Sequence, residues 1–183
     1  MKQIELNHVM IDIETLAQCS GAVITSIGAV RFDIKSGKRG YYHFYENVNI
    51  DSCLDAGMKV EGGTIRWWMT NSDEARREIA KVGKPIKEVL EKLACFLTPT
   101  DILWSNGLRF DIAKIEEAYR INNMKVPWDF HNERDVRTLV SFAPEIKEEV
   151  TKGYKDSTIA HQPIHDCNIQ IDYCSKIWQK LFP

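Results

Sequence analysis

Apolar and polar positions along the chain change period at two places. Residues 8–13 are a short apolar run, 23–32 a longer β-rich run, and 41–48 an aromatic and β-branched one. The turn signal Lys35-Ser36-Gly37-Lys38 separates the last two. Three strands joined by short turns are predicted, which makes an antiparallel meander. From Pro85 the spacing becomes helical, with Ile86, Val89, Leu90, Leu93 and Leu97 on one face and proline in the first turn. Residues 101–104 then read as a short strand, and 111–121 as a helix through Ile112, Ile115 and Tyr119. A further helix is predicted over 133–140, ended before Pro144. Residues 166–181 place Cys167, Ile171, Cys174, Trp178 and Leu181 on one helical face. A meander followed by helix–strand–helix units predicts an α/β fold, a mixed sheet flanked by helices.

Composition narrows the function more than the fold. The 183 residues suit a single domain over 1–183 with a proper core. No repeat or low-complexity linker divides it. The net charge of −2 argues against a protein that coats long duplexes electrostatically. It leaves room for an enzyme that holds a few nucleotides and screens their phosphates with metal ions. No apolar run approaches a membrane span, and the start MKQIELNHVM lacks a signal-peptide core. The five cysteines form no CxxC pair, which points to a reducing, cytoplasmic compartment and away from zinc.

The chemistry begins at MIDIETL. In a strand, residues two apart share a face, so Asp12 and Glu14 point the same way, roughly 6–7 Å apart at Cα. Carboxylates that close resist joint ionisation, and a divalent cation removes the conflict. Alone, the pair is better explained by a strand that ends at Ile13 with both acids in solvent. Asp111 stands where the Asn106-Gly107 turn hands over to a helix, and Asp166 at the start of the final helix. Each also has a plain explanation as an acid favoured by the helix dipole. His161 lies five residues before Asp166, on a segment kept out of helix by Pro163. Together, hard oxygen donors without cysteine or clustered histidines suit Mg²⁺ or Mn²⁺. Two such ions can activate a water and stabilise the leaving oxygen in phosphodiester cleavage, with a histidine taking the proton.

These motifs resemble the DEDDh branch of the DnaQ-like 3′–5′ exonucleases. D-x-E-T is matched by Asp12-Ile13-Glu14-Thr15, N-G-x-x-F-D by Asn106 to Asp111, and His-x4-Asp by His161 to Asp166. TIRWWMTNSDEAR at 64–76, HNERDVRTL at 131–139 and HQPIHDC at 161–167 extend the likeness over nearly the whole chain. They resemble the group containing phage exonuclease A, exonuclease VIII-like domains and a mycobacterial 3′–5′ exoribonuclease. One departure is Pro163, where many members carry alanine.

The resemblance implies an RNase H-like fold, the meander being followed by parallel strands. It implies that Asp12, Glu14 and Asp166 are the main ligands of two Mg²⁺ or Mn²⁺ ions. Asp111 completes the second ion's shell through water, and His161 is the general base. The Thr15 and Leu16 backbone would lie beside the terminal nucleotide, the Leu16 side chain against its base, with Asn106 and Phe110 near the same pocket. The expected partner is a nucleic-acid 3′ end, DNA ahead of RNA, and no membrane. Relatives often pair their subunits, so a homodimer is implied, in the bacterial host cytoplasm if the gene is phage- or prophage-borne. A catalytically inactive end-binding module is the non-enzymatic alternative, but all four acids and the histidine are present.

Other residues carry two readings. Trp67 and Trp68 either stack on bases or pack in the core, and adjacent helical residues point about 100° apart, so one can do each. Lys81, Lys84, Lys87 and Arg76-Arg77 either steer a strand or form a solvated face. Asp135 and Arg137 are expected to pair structurally, and His165 to be exposed.

Overall fold

The structure, a computed structural model, describes residues 6–154 and 161–183. The first three strands are β1 (His8–Thr15), β2 (Ile24–Phe32) and β3 (Arg39–Asn47), paired antiparallel as a meander. Four helices follow: α1 (Ile50–Asp55), α2 (Gly62–Met69), α3 (Asp73–Ile79) and α4 (Ile86–Phe96). β4 (Ile102–Ser105) returns parallel to β1 and leads into α5 (Asp111–Ile121). β5 (Glu133–Asp135) adds parallel to β4, and α6 (Val136–Val140), α7 (Pro144–Gly153) and α8 (Pro163–Leu181) follow. The sheet order is β3-β2-β1-β4-β5, the RNase H-like arrangement expected.

Each face of the sheet carries its own core. Val9, Ile11 and Ile13 of β1 face Cys53, Trp68, Leu90, Leu93, Ile112 and Ile115 from α1, α2, α4 and α5. Met10 faces the other way, onto Val136, Cys167, Ile171 and Ile177 from α6 and α8. Strand alternation therefore puts Asp12 and Glu14 on the α8 side, in line with Met10. Full burial of each such aliphatic side chain contributes about 1.5–3 kcal/mol. That anchors β1 firmly enough to hold charges at its far end.

The seating of α8 depends on one glycine. Gly28 of β2 is the direct cross-strand partner of Asp12. A Cβ at position 28 would lie 2.6 Å from Pro163 Cβ and 3.0 Å from the Pro163 carbonyl carbon. A glycine inside a strand marks close approach of another backbone. Here it lets the first turn of α8 rest directly on the sheet.

Three boundaries differ from the sequence expectation. β1 continues to Thr15, so both acids lie inside the strand and the reading in which it ends at Ile13 is excluded. Residues 133–140 are not one helix. Glu133–Asp135 pairs with β4, and the Asp135 carboxylate then accepts the Arg137 N–H at 2.6 Å, capping a separate short helix. α8 begins at Pro163 instead of Asp166, because Gln162 caps it through the His165 N–H and proline tolerates the first helical position. The short α1 and α3 and the amphipathic α7 are additions to the pattern read from the sequence. Among the described residues no helix is long and apolar enough to cross a membrane.

Candidate active site

β1 and β4 run parallel, so their C-terminal ends open on the same edge of the sheet. One cleft of about 400 Å³ lies there, lined by Asp12, Glu14, Asp111 and Asp166 together with His161. Thr15, Asn106, Phe110, Trp67 and Trp68 line it too. Residues separated by up to 154 positions in sequence thus meet in one space. The ladder between β1 and β4 ends at Met10. Beyond it, the Ile13 N–H donates to Asp111 Oδ1 at 3.3 Å, which ties the start of α5 to β1. Gln170, one turn beyond Asp166 on α8, donates from Nε2 to Asp12 Oδ1 at 2.9 Å.

Four acids in this space cannot all ionise without help. Burial, then the charges of Asp111 and Asp166, pushes the Asp12 carboxyl well above its ordinary range. Glu14 is raised likewise, by burial and then by Asp12 and Asp166. Burial lifts Asp111 to about 7, against the Ile13 N–H and the cations Lys114 and Arg137. Burial lifts Asp166 to about 6, opposed by a hydrogen bond from the His161 backbone. Ligand atoms of Glu14, His161 and Asp166 lie within 4.8 Å of one another. A divalent ion fits the carboxylates of this cleft: hard oxygen donors whose crowded negative charge a cation cancels. Cys167 is buried behind the acids with its thiol pushed well up by burial, so it stays protonated and offers no soft ligand.

His161 is held by strain and by aromatics. Its backbone is left-handed, φ +64°, unusual for a residue with a Cβ. Its ring meets Trp67 at 5.1 Å and Trp68 at 5.7 Å, both edge-on. Trp68 is 2% exposed and donates its indole N–H to the Thr15 carbonyl at 2.9 Å, whereas Trp67 is 45% exposed. One tryptophan packs inward and its neighbour faces the opening, yet both line the cleft and both brace the histidine. Burial lowers the His161 pKa, which favours the neutral imidazole.

Several expectations are corrected. Leu16, expected against a base, is 4% exposed and packed in the main core. Its backbone is tied to Val23 and Glu61. Asp135 and Arg137 do pair structurally, through the Arg137 backbone N–H and not its guanidinium. The Asp135 carboxylate accepts the Leu108 and Arg137 backbone N–H groups, one on each oxygen, and the guanidinium lies over Gly107. His165 is partly buried, its ring 5.7 Å from Tyr154. In the basic cluster, Arg76 pairs with Asp73, Lys81 with Glu78 and Lys84 with Glu46, as expected of a solvated face. The sequence reading missed Gln170 and Arg137. A polar residue four positions after Asp166 on an otherwise apolar helix face was a usable signal for the first, and membership of the HNERDVRTL stretch was one for the second.

Comparison with known proteins gives one family match and several likenesses of fold. The family model described as the 3′–5′ exoribonuclease Rv2179c-like domain matches residues 7–178. An exodeoxyribonuclease of Enterobacteria phage T4 is 25% identical, over 86% of this chain and 83% of its own length. E. coli exonuclease I bound to single-stranded DNA and zinc superposes with a TM-score of 0.69 at 13% identity, over 96% of this chain. The chain spans only 42% of that protein. S. pombe Pop2p, with Mg²⁺ and Mn²⁺ bound, gives a TM-score of 0.64 at 12% identity, over 96% of this chain and 84% of its own. A 3′-exonuclease that recognises the histone mRNA stem-loop gives 0.61 at 12% identity, over 94% of this chain and 81% of its own.

Proposed function

Starting from the fact that this chain belongs to the 3′–5′ exoribonuclease Rv2179c-like family, we propose that residues 1–183 form one metal-dependent 3′–5′ exonuclease domain that shortens DNA from its 3′ end. The observation that carries the reading is the meeting of Asp12, Glu14, Asp111, Asp166 and His161 in one cleft. Asp12, Glu14 and Asp166 would hold two Mg²⁺ or Mn²⁺ ions, with Asp111 completing the shell through water. When bound, such ions neutralise the acids and supply positive charge at the reacting phosphate and the attacking water.

The chain's own residues do the rest. His161, neutral at pH 7 and braced by Trp67 and Trp68, takes the proton of the water that attacks phosphorus. The bond from phosphorus to the 3′ oxygen breaks, that oxygen takes a proton from solvent as the shortened strand leaves with a 3′-hydroxyl, and a nucleoside 5′-monophosphate is released. Gln170 holds Asp12 in register. The Thr15 backbone, Asn106, Phe110 and the exposed face of Trp67 flank the terminal nucleotide. A stacked aromatic contributes about 1–3 kcal/mol per base without choosing the sequence.

The phage exodeoxyribonuclease, related over most of both chains, supports DNA as the substrate and a phage or prophage gene acting in bacterial cytoplasm. RNA is the second reading, favoured by the family description. The test uses purified protein with Mg²⁺ and 5′-labelled DNA and RNA oligonucleotides, single-stranded or with 3′ overhangs. A ladder shortening from the 3′ end, lost in Asp12→Ala, is expected. Internal cuts, or activity that survives Asp12→Ala, would refute the reading.

A further inference from the structure

We propose that Arg137 is the phosphate anchor of this cleft, its guanidinium gripping a backbone phosphodiester at the 3′ end of the bound strand. The inference rests on the exonuclease reading and gives a role to a residue of the HNERDVRTL stretch that the acid cluster and the histidine leave unexplained. Arg137 is the sole lysine or arginine among the residues that line the cleft. It is exposed, and among the described residues no carboxylate forms an ion pair with it.

Its position is built by its surroundings. Asp135 accepts the Arg137 backbone N–H at 2.6 Å and the Leu108 N–H at 3.1 Å, so the start of α6 is fixed to the loop after β4. That loop turns at Gly107, φ +119°, and the guanidinium lies across the bare Cα. A Cβ there would come within 3.0 Å of the guanidinium carbon. The glycine thus serves two needs, a left-handed turn and the space for Arg137. The charge of Arg137 also reaches Asp111.

The charge balance says what the arginine faces. Four carboxylates and two divalent ions cancel, which leaves a neutral centre. A strand entering it brings a negative charge per nucleotide, and Arg137 is the cation that remains to meet it. A planar guanidinium offers two parallel N–H donors to a phosphodiester's nonbridging oxygens, which glutamine or a lone ammonium cannot reproduce.

The test measures binding of a short single-stranded oligonucleotide by fluorescence anisotropy, with Ca²⁺ in place of a reactive ion. Wild type and Arg137→Gln are compared on the natural strand and on strands carrying one neutral methylphosphonate at either of the last two linkages. Arg137→Gln is expected to weaken binding of the natural strand about 10-fold or more, with an unchanged melting temperature. The slope of log affinity against log salt is expected to fall by about 0.7. At one of the two linkages the methylphosphonate weakens wild type but costs the variant nothing further. Equal binding by both proteins, or losses that multiply at both linkages, would overturn the proposal. Wild type that neither degrades nor binds the natural strand fails the exonuclease reading itself, which keeps the two failures apart.

Discussion

Gly28→Ala is the sharpest probe of how the fold holds the site. The added Cβ would sit 2.6 Å from Pro163 Cβ, with the Pro163 carbonyl carbon and Ile164 nitrogen at 3.0 and 3.1 Å. Ordinary contact begins near 3.4 Å, so the first turn of α8 must lift by about 0.8 Å. Neither proline nor backbone can swing aside as the end of a flexible side chain would. Overpacking of this kind costs about 1–3 kcal/mol, and alanine's better strand propensity offsets part of it. For a chain of this size, that lowers the melting temperature by about 2–10 °C. The lift is transmitted to Asp166, three residues further along the same helix, while Glu14 stays with the sheet. A misplacement near 1 Å costs about 100-fold in rate where reacting groups must align. Chemical denaturation, the Mn²⁺-induced thermal shift and oligonucleotide degradation measure the three consequences separately. A Gly28→Ala protein that keeps wild-type metal response and stays within twofold of wild-type kcat/KM would refute the close-approach account.

Other perturbations separate stability from function. Trp68→Ala removes a 2%-exposed side chain and its bond to Thr15, and is expected to cost about 3–5 kcal/mol in denaturant. Trp67→Ala, at a 45%-exposed position, is expected to leave stability within about 0.5 kcal/mol while weakening degradation; equal effects from the two would contradict the inward and outward assignment. Without metal, stability is expected to fall as pH rises from about 4 to about 7. The folded Asp111 and Asp166 carboxyls bind protons up to about 7 and about 6, where the unfolded ones have released theirs near 3.8. Melting with EDTA and with Mn²⁺ from pH 5 to 8 checks this, and the Mn²⁺ increment is expected to grow with pH. A metal-free melting temperature that climbs with pH would reverse the sign. Gln170→Glu exchanges the amide donor to Asp12 for a fifth carboxylate, so it is expected to steepen that metal-free decline and lower activity.

Period and motif made much of this legible in the chain. The helix over 111–121 matches α5, because Ile112, Ile115 and Tyr119 all point into one core. Asp12, Glu14, Asp111, Asp166 and His161 are legible from motif order alone, and they line one cleft. What stayed hidden has physical causes. Glu133–Asp135 is three residues long, too short for alternation to differ from helical spacing, and its partner strand decides its state. Leu16 follows the irregularity in β1–β2 pairing after Glu14, which no local pattern announces. Arg137 belongs to the HNERDVRTL stretch, which by itself assigns it no task. Only the approach of two loops, through Asp135 and the bare Cα of Gly107, gives it a role.

The order in which the chain delivers the site also bears on its synthesis. Asp12 and Glu14 leave the ribosome early, Asp111 midway, and His161 and Asp166 only with the start of α8. Until that helix has emerged and docked over Gly28, the nascent chain offers at most three of the four acids and lacks the histidine. Under the proposed assignment the nascent chain is therefore inert, and no fragment ending before Asp166 should cut. The same long-range closure that joins the two ends of the chain at this cleft would keep the proposed activity silent until the fold is complete.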